Sequence, residues 1–185
     1  MPFNLRIEEG DITRFHADVV LLKYATRYFG ADLKVAGLLG RAGISREEMT
    51  PGEEGFKLVS ARNALECNRV LFVSVPPPGE FDLDSLRRFM LQGLHLLASA
   101  GEPAVHVVTT LHGPGFGLDE RNAFKAQVDG ILSAAAAGHL PAGMERFSIV
   151  EANPARVQSM GETLAERMAR FDGATLINDG FRITV

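Results

Sequence analysis

Apolar and polar residues along this chain follow two rhythms that alternate. Short apolar or alternating runs occupy residues 5–8, 19–22, 57–60, 70–75, 105–110 and 147–151. Each is brief and rich in Val, Ile, Leu or Phe, as a β-strand should be. Longer stretches at helical spacing lie between them, at 32–41, 83–99, 119–137 and 154–171. In the second of these, Leu86, Phe89, Met90, Gly93, Leu94 and Leu97 recur three and four apart and form one core-facing stripe. Asp82 or Asp84 is placed to cap that helix, and Asn153 before Pro154 reads as a cap with a first-turn proline. Strands alternating with helices predict a largely parallel sheet covered on both faces. The run 70–75 is apolar enough for the middle of that sheet. Residues 49–55 and 76–80 have the Pro and Gly content of loops. At the end, two short strand-like runs flank Asn178-Asp179-Gly180, the pattern of a hairpin over 174–185.

Composition narrows the class. A chain of 185 residues, 46% of them hydrophobic, makes one domain with a substantial core. The net charge is −4 and basic residues are scattered, which argues against a general nucleic-acid binder. No apolar run reaches the ~18 residues of a membrane span, and no signal-peptide pattern opens the chain, so a cytoplasmic location without membrane contact is expected. Cys67 stands alone, which rules out an intrachain disulfide or a cysteine-based zinc site. His16, His95, His106, His112 and His139 show no metal-ligand spacing, and neither a metal nor a cofactor is expected.

The stretch His112-Gly113-Pro114-Gly115-Phe116-Gly117-Leu118-Asp119 carries the most chemistry. It follows a strand-like run and opens a helix near Asp119. A glycine-rich turn there lets the backbone approach a ligand closely and adopt positive φ. Its N–H groups, with the helix N-terminus, suit a phosphate or diphosphate. His112 can add a side-chain donor. The spacing fits neither the Walker A loop nor the dinucleotide fingerprint. A tight strand-to-helix connection without a ligand has the same sequence.

Near the N-terminus the chain reads Gly10-Asp11-Ile12-Thr13, then Ala17-Asp18-Val19-Val20, then Val35-Ala36-Gly37. With the later turn Gly113–Gly117, these elements in this order resemble the macro domain over about the first 170 residues. The resemblance implies a three-layer α/β/α macro-like domain with a mixed, mainly parallel sheet of about six strands. That domain would span 1–173, with 174–185 as a hairpin-like extension of it. It also implies a cleft at the strand C-terminal ends for ADP-ribose or a related nucleotide. There Asp11 would accept from the adenine amino group and the Ile12 backbone would meet the purine edge. Gly113, Gly115, Phe116 and Gly117 would wrap the diphosphate, with Phe116 near the distal ribose. Asp11 also fits a turn residue that bonds its own backbone.

One segment departs from that family. Catalytic macro domains carry an Asn-Ala-Ala-Asn-like segment and then a run of glycines. Residues 22–34 here are Leu-Lys-Tyr-Ala-Thr-Arg-Tyr-Phe-Gly-Ala-Asp-Leu-Lys, and only Gly30 remains of the glycine run. Phe29 and Asp32 are expected to intrude, Asp32 to repel a phosphate, and Lys23 and Arg27 to offer positive charge instead. The altered loop is similar to the N-terminal domain of leucine aminopeptidases and to sensor or adaptor modules of larger bacterial proteins. The expectation is therefore a non-catalytic binding or sensor module, with no catalytic residue assigned. An ADP-ribosyl hydrolase remains an alternative. So does a regulatory domain with a degenerate pocket that engages effector domains or partner proteins.

Overall fold

The computed structural model describes residues 2–53 and 55–184. The strands are β1 (Phe3–Glu9), β2 (Ala17–Tyr24), β3 (Phe56–Ser60), β4 (Cys67–Ser74), β5 (His106–Thr110), β6 (Arg146–Glu151), β7 (Ala174–Ile177) and β8 (Gly180–Ile183). The helices are α1 (Gly30–Arg41), α2 (Arg46–Met49), α3 (Leu83–Ser99), α4 (Glu120–Ala136) and α5 (Pro154–Met168). All strands join one sheet in the order β3-β4-β2-β5-β6-β1-β8-β7. The five central strands are mutually parallel, while β3 runs antiparallel to β4, β8 antiparallel to β1 and β7 antiparallel to β8.

The α/β class stands, but the sheet has eight strands among the described residues rather than about six. The six predicted runs became β1 to β6. The C-terminal hairpin supplies the other two, because β8 pairs with the edge of β1 that β6 leaves open, at Phe3↔Ile183, Asn4↔Arg182 and Leu5↔Phe181. Open edge N–H and C=O groups are thereby covered. The short helix α2 lies outside the predicted elements. Its Ser45 and Glu48 form a reciprocal capping box, which allows one turn to hold.

Helix starts follow the local chemistry of the sequence. Asp82, rather than Asp84, caps α3 by accepting from Ser85 N–H at 2.7 Å. Asn153 accepts from Ala155 N–H at 3.0 Å, and Asp119 from Asn122 N–H at 2.9 Å. On one face of the sheet α3, α4 and α5 bury Leu86, Phe89, Phe124, Ile131 and Leu164 against Leu21, Val107 and Phe147. A Cβ on Gly130 of α4 would meet the Arg87 carbonyl of α3 at 2.5 Å, so glycine sets how closely these helices cross. On the other face α1 and α2 bury Val35, Leu39 and Met49 against Val20, Leu22 and Phe72. No helix among the described residues is long and apolar enough to cross a membrane.

Because β1, β2, β4, β5 and β6 are parallel, the loops that follow them gather at one end of the sheet. Open α/β sheets bind ligands at that end.

Candidate functional site

The turn after β5 is a single 3-10 turn over Pro114–Phe116. Gly113 has φ 107° and Gly117 φ 85°, conformations that suit glycine alone. Phe116 N–H donates to the Gly113 carbonyl at 2.8 Å, Gly117 N–H to Pro114 at 3.1 Å, and Leu118 N–H to Gly113 at 3.2 Å. Pro114 has no N–H. The main-chain donors left on this turn are therefore those of Gly113 and Gly115. Open space lies above Gly115 and Gly117.

Facing this turn is the start of α1. Its cap residue, Phe29, supplies no side-chain hydrogen bond. The first N–H groups of a helix have no intrahelical acceptor and carry its positive end. The Phe29 ring meets Phe116 edge-on at 5.1 Å, and Phe116 meets Phe81 at 5.4 Å. Gly30, the residue after Phe29, has φ 51° and open space at its Cβ.

Asp32 does not face this crevice with a bare charge. It is 2% exposed and its Oδ2 accepts from Lys23 Nζ at 2.5 Å. Lys23 is 6% exposed and its Nζ also lies 4.4 Å from the centre of the Phe116 ring. Burial pushes the Asp32 carboxyl up to about 6, against the pull of Lys23. The expected repulsion by Asp32 and the expected free charge on Lys23 thus cancel in one buried pair. Arg27 stays exposed, its guanidinium 4.8 Å from the Phe29 ring centre.

His112 lies beneath the turn. Thr109 Oγ1 donates to the Leu21 carbonyl at 2.8 Å and meets His112 Nε2 at 3.1 Å, so Nε2 is the nitrogen that carries hydrogen. Burial, with the nearby Lys23 charge, holds the imidazole well below its ordinary pKa and hence neutral. Its backbone N–H donates to Gln127 Oε1 at 3.2 Å, while Gln127 Nε2 donates to the Thr110 carbonyl at 2.8 Å. This tie fastens the turn to α4.

Asp11 and Ile12 reach the same end of the sheet from β1. Asp11 Oδ1 accepts from Thr13 N–H at 2.9 Å and Thr13 Oγ1 at 2.8 Å, which holds the carboxyl below its usual range. The residue is exposed, with Lys34 of α1 contributing to its electrostatics. Ile12 is buried against the α1 side of the core. The helix α1 therefore links the two groups of predicted residues: Asp11 and Ile12 on one flank, Gly30 and Gly113 to Gly117 on the other.

A cleft of about 1030 Å³ opens at the same end, beside β2 and β4. Its walls are Tyr24 and Thr26, residues 51–53, residues 74–77, Glu80, and the first turns of α3. None of the predicted site residues lines it. Thr26 sits at φ 58°, unusual for a β-branched residue, with Tyr24 Oη donating to its carbonyl at 2.8 Å. The sequence held a signal for the Lys23–Asp32 pair, namely a lysine at the end of a buried apolar strand. The left-handed Thr26 had no such signal.

No family profile and no curated protein sequence matches this chain. Solved structures do. The Trypanosoma brucei macrodomain in complex with ADP aligns at a TM-score of 0.67 and 13% identity, over 87% of this chain and 69% of that one. The complex with ADP-ribose from that organism aligns at 0.65 and 17%, over 85% and 67%. The Oceanobacillus iheyensis macrodomain with ADP aligns at 0.70 and 14%, over 92% and 97%. The chain has a macrodomain fold. Within the macrodomain fold, the Phe29–Phe116 contact and the Lys23–Asp32 pair occupy the place where the resemblance implied a glycine-lined first loop.

Proposed function

We propose that this chain is a non-catalytic binding or sensor module for ADP-ribose or a related nucleotide. The diphosphate lies between the start of α1 and the turn Gly113–Gly117, and the adenine lies by Asp11 and Ile12. One observation carries this reading. A helix N-terminus with no side-chain cap faces a glycine turn whose Gly113 and Gly115 N–H groups bond no main-chain acceptor, with Gly115 exposed. That is a donor-lined place for an anion. The ADP and ADP-ribose held by macrodomains of the same fold support the choice of ligand.

The engagement of the polar groups nearby supports a reading without turnover. Asp32 is bound to Lys23, His112 to Thr109, and Asp119 caps α4. Hydrolysis needs a group free to orient water against the distal ribose. A second reading, an interaction domain with a degenerate pocket, is favoured by the Phe29–Phe116 contact that spans the two loops.

Calorimetric titration with ADP-ribose, ADP and ribose 5-phosphate tests the proposal, alongside incubation with a mono-ADP-ribosylated protein. Both adenine nucleotides should bind, Asp11→Ala should weaken them and spare ribose 5-phosphate, and no ADP-ribose should be released. Absence of binding by every ligand leaves the interaction domain. Multiple-turnover release returns the hydrolase.

A further inference from the structure

We propose that the open sheet face of β6, β1 and β8 docks an acidic segment of a partner protein, whose aspartate and glutamate side chains are received by Arg146, Arg182 and Arg6. This surface is separate from the nucleotide crevice and does not rest on it.

Strand register builds the surface. His106, Arg146, Asn4, Arg182 and Thr175 are successive partners across β5, β6, β1, β8 and β7. Partners in register point to the same face of a sheet. Their neighbours along the strands, Val107, Phe147, Phe3, Leu5 and Ile183, are buried in the core under α3, α4 and α5. The row therefore lies on the other face, where α1 packs on β2 and α2 on β3. Arg182 and Thr175 are exposed, and His106, Arg146 and Asn4 are half-buried. Arg6 follows Asn4 by two residues on β1 and adds a third guanidinium to this face. The row crosses the first residues of β1, β5 and β6, the end of the sheet away from the Gly113–Gly117 turn.

The charge of this face is not consumed within the chain. The row holds two arginines and no carboxylate. Neither Arg146 nor Arg182 has an ion-pair partner among the described residues. Arg6 meets exposed Asp179 at 3.2 Å, and its Nε is buried with no acceptor. A buried charged donor without an acceptor is uncommon and costly. Glu8, further along the same face, accepts from Ser148 Oγ, which also meets His106 Nε2 at 2.8 Å. Burial and then Arg146 hold His106 below its ordinary pKa, with Arg6 adding to them and Glu8 and Asp18 opposing. The arginine charge is thus felt across the row. A groove of about 390 Å³ borders it at Asn4 and Arg182, with Pro2, Phe3 and residues 143–145 as its other walls. Glu145 is the carboxylate of that groove.

Arginine forks match carboxylates in shape and charge. Across two strand spacings, Arg146 and Arg182 stand about 10 Å apart at their Cα atoms, which suits separate acidic side chains of one segment. Nucleic acid fits less well. Single strands stack their bases on flat rings. The ring beside this row, Phe15, is instead set edge-on to His106 at 72°. A net charge of −4 also opposes the approach of a long polyanion.

The test is NMR titration of the full chain without nucleotide. The probes are a blocked Gly-Glu-Asp-Glu-Gly peptide, its Gly-Gln-Asn-Gln-Gly counterpart and a short single strand of thymidine nucleotides. The acidic peptide should shift resonances of Asn4, Arg146 and Arg182, and added salt should weaken it. Its amide counterpart should leave them in place. Arg146→Gln/Arg182→Gln should weaken the acidic peptide roughly tenfold. Arg182→Gln alone, at an exposed position, should weaken it roughly threefold and keeps the test sound if the double variant folds poorly. Silence from the acidic peptide, equal binding of the amide peptide, or undiminished affinity in Arg182→Gln overturns the proposal. Tighter binding of the thymidine strand, lost in the same variant, overturns it in favour of nucleic acid. Because no nucleotide ligand of the crevice is present, such a failure says nothing about the Gly113–Gly117 turn.

Discussion

The turn Gly113–Gly117 and the cleft walled by Pro51, Pro76 and Pro77 stand at the same end of one sheet and offer a ligand opposite things. At the turn, glycine keeps side chains away and leaves the exposed Gly115 N–H without a main-chain partner, with the start of α1, which has no side-chain cap, beside it. In the cleft, proline deletes N–H groups while local hydroxyls turn inward to carbonyls, and carboxylates remain. Fold alone therefore does not set the polarity of a site at the strand ends. Loop composition does, through which backbone donors it leaves unpaired. Beside the turn, Phe29, Phe116 and Phe81 meet edge-on in a row of rings, and Lys23 of the buried Lys23–Asp32 pair lies 4.4 Å from the Phe116 ring centre.

Removing half of that pair is the severest way to break the comparison. Lys23→Ala leaves the Asp32 carboxylate buried without its partner and should cost about 3–5 kcal/mol by urea unfolding. The double variant Lys23→Met/Asp32→Leu should restore most of that, since no unpaired charge is left behind. A Lys23→Ala loss below about 1 kcal/mol would mean the pair holds nothing together. The same region also gives the pH dependence its shape. Burial raises Asp32 to about 6 from an ordinary 3.8, with Lys23 opposing, so the folded chain holds that proton more tightly. Its contribution to stability is present below 3.8 and is lost as pH rises through about 6. His112 has the opposite sign. Burial and Lys23 lower it well below 6.5, so its contribution is present above 6.5 and is lost as pH falls. Asp32→Asn should therefore acidify worse than the parent, losing stability more steeply below pH 6.5.

A gentler change separates the two regions without disturbing the fold. Gly115 has no positive φ, and a side chain there meets nothing within 4 Å. Gly115→Val should leave stability within about 0.5 kcal/mol. The added side chain fills the open space beside the Gly115 N–H, so ADP-ribose affinity should fall roughly tenfold, or 1.4 kcal/mol. Undiminished ADP-ribose affinity in the variant would place the diphosphate away from this turn.

Much of this molecule is readable from its residues. The runs that became β1 to β6 are apolar or alternating over the right length, and Asp82, Asp119 and Asn153 mark the helix starts. The strand count fell short because the hairpin pattern at 174–185 says nothing of what the hairpin pairs with, and β8 completes the edge of β1. The glycines of the turn were legible, but the direction of their N–H groups was not. Phe116, Gly117 and Leu118 close the turn on itself through bonds that depend on one φ at Gly113. Asp32 read as a repelling charge because its partner lies nine residues away on another element, and only the packing of α1 over β2 brings them together. The cleft was invisible for a related reason. Tyr24, Pro51, Pro76 and Arg88 come from four separate stretches, each ordinary by itself.

The smallest expected effect lies at the rim of the cleft, and it sharpens the comparison by testing rigidity alone. Thr26 occupies φ 58°, which costs a β-branched residue about 1–2 kcal/mol. Thr26→Gly removes that strain. It also gives up the Thr26 Oγ1 bond to the Ala25 carbonyl at 2.6 Å. Glycine further loosens the unfolded chain by about 0.4–1 kcal/mol. These contributions nearly cancel, so the unfolding midpoint should move by no more than about 1 kcal/mol, upward where strain relief dominates. ADP-ribose should bind Thr26→Gly unchanged, because the Gly113–Gly117 turn keeps its own anchors through His112 and Gln127. A clear loss of ADP-ribose affinity would show that Thr26 serves the crevice as well as the cleft it borders.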